Sequence, residues 1–215
     1  MNQQQNNEVR VTLNPKIDEP GSCTYYPLHD VLQSFKTGVT PDGVDYKDII
    51  KDTSAGLVAR KNELPVIVFG GEFNRRGVAG CLRYSGLVII DFDHLDADNM
   101  QSLRDFLTKD PFILACWKSP SAKGIKALVK VPRGLVDNHG RYFAAIIEYL
   151  ESKTGIIVDR SGKDVSRACF ACYDPDIHYR PDSQVWEELK EEEEFISKTT
   201  TEYNAPSPTL YITGE

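Results

Sequence analysis

The chain has 215 residues, 40% of them hydrophobic, and a formal charge of −7. That length buries a sizeable core in one domain with tails, while the acidity speaks against a surface that binds phosphate everywhere. The charge is uneven, however: EELKEEEEF (187–195) holds six Glu against one Lys and contributes −5, leaving −2 for the rest, so basic clusters such as NRRG (74–77) and SAKGIK (121–126) can still dominate a groove.

The opening MNQQQNNEVR is polar, without the apolar run of a secretory signal, and no stretch approaches a membrane-spanning length. A cytoplasmic chain without a membrane partner is expected. Five scattered cysteines, Cys23, Cys81, Cys116, Cys169 and Cys172, fit a reducing compartment better than a disulfide framework.

In chain order, residues 1–24 read as an N-terminal arm, with an edge strand at EVRVTL. PLHDVLQSF then places Leu28, Val31, Leu32 and Phe35 at helical spacing before Gly38, and DYKDIIKD puts Tyr46, Ile49 and Ile50 on one face. From residue 65 the pattern changes to a short β-branched strand, PVIVFGGEF, followed by a Gly- and Arg-rich link. GLVIIDFD reads as a buried, central strand, and the next helix carries Met100, Leu103 and Leu107. FILACWKS and GIKALVKV form a hairpin. The best helix is DNHGRYFAAIIEYLESKTG, capped by Asp137 or Asn138, with Tyr142, Phe143, Ile146, Ile147 and Leu150 inward and Gly155 at its end. RACFACYD closes the series as a strand in which Cys169 and Cys172 are expected on opposite sides, as structural thiols.

This order, β-α-β-β-α-β, implies an α+β domain over residues 25–188 with an RRM-like or ferredoxin-like core sheet, plus an extra N-terminal helical segment and strand. Helices would cover one face and leave the other open for a site. Residues 189–215 read as an acidic tail or linker.

Three clusters can carry chemistry. Asp91 and Asp93 are two residues apart on a strand, so they share a face while Phe92 takes the other. Paired carboxylates repel unless a cation or water neutralises them, and hard Mg2+ or Mn2+ would suit them. The plain alternative is a solvated strand end, with Asp96 or Asp98 capping the next helix. The second cluster, KSPSAKGIK (118–126), offers hydroxyls, a glycine and three lysines at a hairpin turn, either a phosphate-binding loop or an ordinary polar turn. The third surrounds the last strand, where Asp159 or Asp174 would supply a further carboxylate and Arg167 a bidentate phosphate contact.

A hydrophobic strand ending in D-x-D, a helix, a hairpin with S-x-S-x-x-G, a second helix and a later acid resemble, in that order, the archaeo-eukaryotic primase superfamily. More narrowly, LPVIVFGGEF, SGLVIIDFDHLD, KSPSAKGIKALVKV and SRACFACYDPDIHYRP look like the VirE N-terminal-type domain, a primase-like module of Bacteroidetes mobile-element proteins that is often fused to a helicase. The resemblance covers roughly residues 25–185. It implies that Asp91, Asp93 and Asp159 hold divalent metals, that Ser119, Ser121, Gly124 and Lys126 bind nucleotide phosphates, and that Arg167 contacts the nucleotide. It also implies nucleoside triphosphate, DNA and a helicase as partners. Active primases carry a histidine just after the motif glycine, whereas the nearest residue here is Lys126. A catalytically inactive nucleic-acid-binding module therefore stands beside a primase-type nucleotidyl transferase, with a metal-dependent nuclease as a third reading.

Overall fold

The computed structural model describes residues 8–18 and 22–191; the first residues of the expected arm and most of the expected acidic tail, 192–215, lie outside them. The fold is α+β and antiparallel throughout its two four-stranded sheets. The first sheet has β1 (Arg10–Asn14), β2 (Thr24–Pro27), β3 (Val66–Val68) and β9 (Ala168–Phe170), in the order β2-β1-β3-β9. The second has β6 (Leu87–Phe92), β7 (Ile113–Lys118), β8 (Ile125–Lys130) and β10 (His178–Tyr179), in the order β10-β7-β8-β6. A separate ribbon joins β4 (Gly71–Phe73) to β5 (Cys81–Tyr84).

The helices form where the apolar spacing requires. In α1 (Leu28–Thr37), Leu28, Val31, Leu32 and Phe35 are buried, and the helix stops at Gly38 in the left-handed region, whose N–H closes on Ser34 O. The shorter α2 (Lys47–Ser54) buries Ile50, behind the buried Tyr46. Asp96 caps α3 (Ala97–Leu107) by accepting the Asn99 N–H at 2.8 Å, as the plain reading of that acid anticipates. In α4 (His139–Thr154), which follows Asn138, the expected inward residues Tyr142, Phe143, Ile146, Ile147 and Leu150 are all buried.

The unit β6-α3-β7-β8-α4 follows the expected order, and α3 and α4 cover one face of the second sheet through Val88, Ile90, Phe92, Cys116 and Ala127. The molecule departs from the expected arrangement in five respects. The opposite face is not open: Leu87, Ile89, Trp117 and Leu128 join one apolar cluster with Val11, Ile67 and Cys169 of the first sheet and with Val31 and Phe35 of α1. Trp117 lies 5.2 Å from the Phe35 ring and 5.6 Å from Phe69, contacts of about 0.5–1.5 kcal/mol each beyond their burial.

The expected last strand, β9, leaves the second sheet and pairs with β3 in the first. Its place beside β6 is taken by an irregular segment in which Asp159 N–H donates to Asp91 O at 2.9 Å before a 3-10 turn at Arg160–Lys163. The stretch DRSGKD has no apolar alternation, so it turns along the β6 edge, and β6 is an edge strand of its sheet rather than a central one. At the N-terminus, β1 is an inner strand between β2 and β3, not an edge strand. Finally, Cys169 and Cys172 share the inter-sheet cluster instead of facing opposite sides. The alternation ends with β9 at Phe170, and both thiols approach the Phe170 carbonyl, at 3.6 and 3.2 Å.

Candidate functional site

The site lies at the end of the second sheet where β6 leaves it. Asp91 is directly opposite Lys126 of β8, and Lys126 is opposite Trp117 of β7, so the three form a row across the sheet. This row sits on the face turned towards the first sheet, one step beyond Ile89 and Leu128. Lys126 donates to Asp91 Oδ2, in a bridge whose side chains are 11% and 13% exposed. The neutralising charge for Asp91 is therefore a lysine. Its second oxygen, Oδ1, is buried without a hydrogen-bond partner.

Burial raises the Asp91 carboxyl above its ordinary value; Lys126 opposes this only in part, and Asp93 and Asp159 add repulsion. Burial works against the Lys126 ammonium as well, but the Cys169 sulfur and the Asp91 carboxylate outweigh it and hold Lys126 above the usual lysine value. Burial also acts on Asp159 in the raising direction, yet the hydrogen bond from the Ser161 N–H and the charges of Arg167 and Lys126 prevail and lower it. The charges of Lys126, Asp93 and Asp159 thus act on Asp91, and those of Arg167 and Lys126 act on Asp159.

The other three form the adjoining hairpin turn. Ser119 N–H donates to Gly124 O at 2.9 Å, and the Ser119 and Ser121 hydroxyls are 3.1 Å apart. The turn is tied to the chain leaving β6 by Leu95 N–H to Lys123 O, 3.0 Å. Gly124 is needed for close approach: a Cβ there would stand 2.4 Å from Phe92 O and 3.1 Å from Asp93 Oδ1. Gly124→Ala is expected to destabilise the domain by about 2 kcal/mol by overpacking and to push Asp93 from its place. Urea denaturation checks the first effect, and an unchanged midpoint would mean that the turn can move aside.

Asp174, the rival third acid, has a structural role. It is 2% exposed, accepts from Arg104 Nη1 at 2.9 Å and from the N–H groups of Lys118 (2.9 Å) and Asp176 (3.1 Å), and pins α3 to the end of β7. Among the described residues, no group of three or more His, Cys, Asp or Glu is arranged to hold a metal ion.

Sequence reasoning missed the pairing of Lys126 with Asp91. A signal was present, since a lysine alternating with Leu128 inside an apolar strand needs a buried partner.

A family model, the BT4734-like N-terminal domain, matches residues 59–179, more than half of the chain. The chain belongs to that family. The matched segment of this BT4734-like domain runs from the turn before β3 to β10 and contains all eight predicted site residues. Among solved structures, the polymerase domain from Mycobacterium tuberculosis ligase D in complex with DNA aligns at 14% identity, over 93% of this chain and 76% of that one. The TM-score is 0.34, too low a likeness to support an argument. No curated protein matches. No helix among the described residues is long and apolar enough to cross a membrane.

Proposed function

We propose that the domain is a primase-like nucleotide-binding module that takes a nucleoside triphosphate as its Mg2+ or Mn2+ complex at the β6 end of the second sheet. The observation that carries this reading is the gathering of Asp91, Asp93 and Asp159 with Lys126 and Arg167 at one sheet end, beside the Ser119 to Gly124 turn. A divalent cation bound there would supply charge neutralisation between the carboxylates of Asp91 and Asp93 and the phosphates, and in a polymerising form would lower the pKa of a 3′-hydroxyl. The donors fit such a cation when it arrives with its phosphates. Mg2+ is commonly held by one or two carboxylates plus substrate phosphates rather than by an all-protein cage, which suits a site without a three-carboxylate group. The partnerless Asp91 Oδ1 and the exposed Asp93 are the available oxygens, with Asp159 on the adjoining segment. Lys126, Arg167 and the turn hydroxyls would face the phosphate chain.

A second reading, nucleotide or nucleic-acid binding without turnover, is favoured by one observation: Lys126 holds Asp91 Oδ2. The narrower placement among VirE N-terminal-type modules, a role in mobile-element replication, a DNA template and a helicase partner belong to the same proposal.

Calorimetric titration with Mn2+ is expected to show no binding to the protein alone, binding when dATP is present, loss of that binding in Asp91→Ala/Asp93→Ala, and weakening in Asp93→Ala alone, which keeps the Lys126 bridge. Equal heats from wild type and variant, no larger than those of Mn2+ titrated into dATP alone, would overturn the reading. Given binding, extension of a primed template separates the polymerising form from the binding-only form, and cleavage of labelled DNA would instead support the nuclease.

A further inference from the structure

On the far side of the 159–167 segment, a small cleft opens between β1, β3 and the loop that follows β4. Thr12, Asn14, Phe73, Arg75, Arg76 and Ser166 line it. Two of these side chains hold the walls together. Thr12 Oγ1 donates to Gly71 O and accepts from Phe73 N–H, each at 2.8 Å. Ser166 Oγ donates to Asp164 Oδ1 at 2.8 Å and accepts from Gly77 N–H at 2.9 Å, which ties the arginine loop to the segment carrying Asp159.

The remaining polar groups are those a ligand would meet. Arg75 and Arg76 are exposed, and although Arg75 Nη2 donates to Ala79 O at 3.4 Å, the other donors of their guanidinium forks suit phosphate oxygens. Asn14 is 9% exposed, yet its Oδ1 has no hydrogen-bond partner. A buried acceptor without a donor is uncommon in a folded protein, and here it borders a cleft with two cations. The ligand that answers both features has anionic oxygens at one end and an N–H donor at the other.

We propose that this cleft binds a phosphate of a single-stranded nucleic acid on Arg75 and Arg76, with the neighbouring base donating a hydrogen bond to Asn14 Oδ1, and that it does so without metal. The cleft shares no side chain with the acidic end. Only the choice of a strand over a free nucleotide rests on the proposed function, because a strand held here lies next to the segment that carries Asp159 and Arg167.

The test is fluorescence anisotropy of a labelled oligo(dA) in EDTA over a salt series, with the full chain. Arg75→Ala/Arg76→Ala is expected to weaken binding about tenfold at low salt and to reduce the log–log salt slope by about 0.7, the value for one phosphate neutralised on a single strand. Asn14→Leu should weaken binding several-fold and leave the slope unchanged. Asp93→Ala, which leaves the Lys126 bridge to Asp91 intact, should keep the wild-type slope, so failure of the metal-nucleotide reading and failure of this one give different patterns. No binding in EDTA, or identical affinity and slope in the double arginine variant, would overturn the proposal. Displacement of the strand by free dAMP at the same phosphate concentration would overturn the assignment to a strand.

Discussion

Lys126→Met is expected to lower the unfolding free energy by about 3–5 kcal/mol, because removing one partner of a buried ion pair leaves the other charge uncompensated. Asp91 has little recourse to water at 13% exposure, and its Oδ1 already lacks a partner. The double variant Asp91→Leu/Lys126→Met should recover most of the loss, since an apolar pair of similar volume continues the row between Ile89 and Trp117. Urea denaturation of the three proteins gives the comparison. Acid should reduce the defect of the single variant. The folded-state pKa of Asp91 is raised by burial and loses its opposing charge in Lys126→Met, so the penalty is complete above that raised value and disappears below the ordinary carboxylate range. A single variant as stable as wild type at neutral pH would mean that water reaches Asp91 and that Lys126 is a surface lysine in effect.

The bridge also explains what was readable in the sequence. The D-x-D pair, the hairpin turn and Asp159 could each be found from local signals, because strand alternation and turn chemistry act within a few residues. The structure brings them to one end of the sheet. What covers the sheet's second face was signalled less directly. Leu87 and Ile89 are apolar on one side while Val88 and Ile90 are apolar on the other, the mark of a strand buried on both faces. An open RRM-like face would need polar residues at 87 and 89. The destination of β9 had no comparable signal, since the three residues ACF suit either sheet and pairing with β3 depends on contacts about a hundred residues apart in sequence.

The covered face changes how the site is approached. In the proposed function, ligand would come to Asp91 from the sheet end that carries Asp93 and the 119–124 turn, because the inter-sheet cluster covers the broad face on which bases could otherwise stack. That end is bounded on one side by the hairpin turn and on the other by the segment that also forms a wall of the arginine cleft, so a shift of residues 159–167 would be felt at both places.

The same segment is held from below by His139, and here acid should weaken the fold. His139 is 3% exposed; its Nε2 lies 3.2 Å from Gly162 O and its Nδ1 3.0 Å from the Tyr84 hydroxyl. A carbonyl can only accept, so Nε2 carries the hydrogen and Nδ1 accepts from Tyr84, which fixes a neutral imidazole. Burial lowers its pKa to about 4, with the Gly162 contact and the Asp164 charge opposing only in part. The unfolded chain, with histidine near its ordinary 6.5, therefore binds the proton first, and stability is complete above about pH 6.5 and falls towards pH 4. At ~1.4 kcal/mol for each tenfold difference in proton affinity between the folded and unfolded chain, the full loss is about 3 kcal/mol, of which about 2 kcal/mol is felt by pH 5. His139→Gln keeps a donor and an acceptor but cannot titrate. Its unfolding free energy should fall less than that of wild type between pH 7 and pH 5, by that amount, whereas equal pH dependence in the two proteins would show that His139 is protonated in the fold and that Gly162 is held by other contacts.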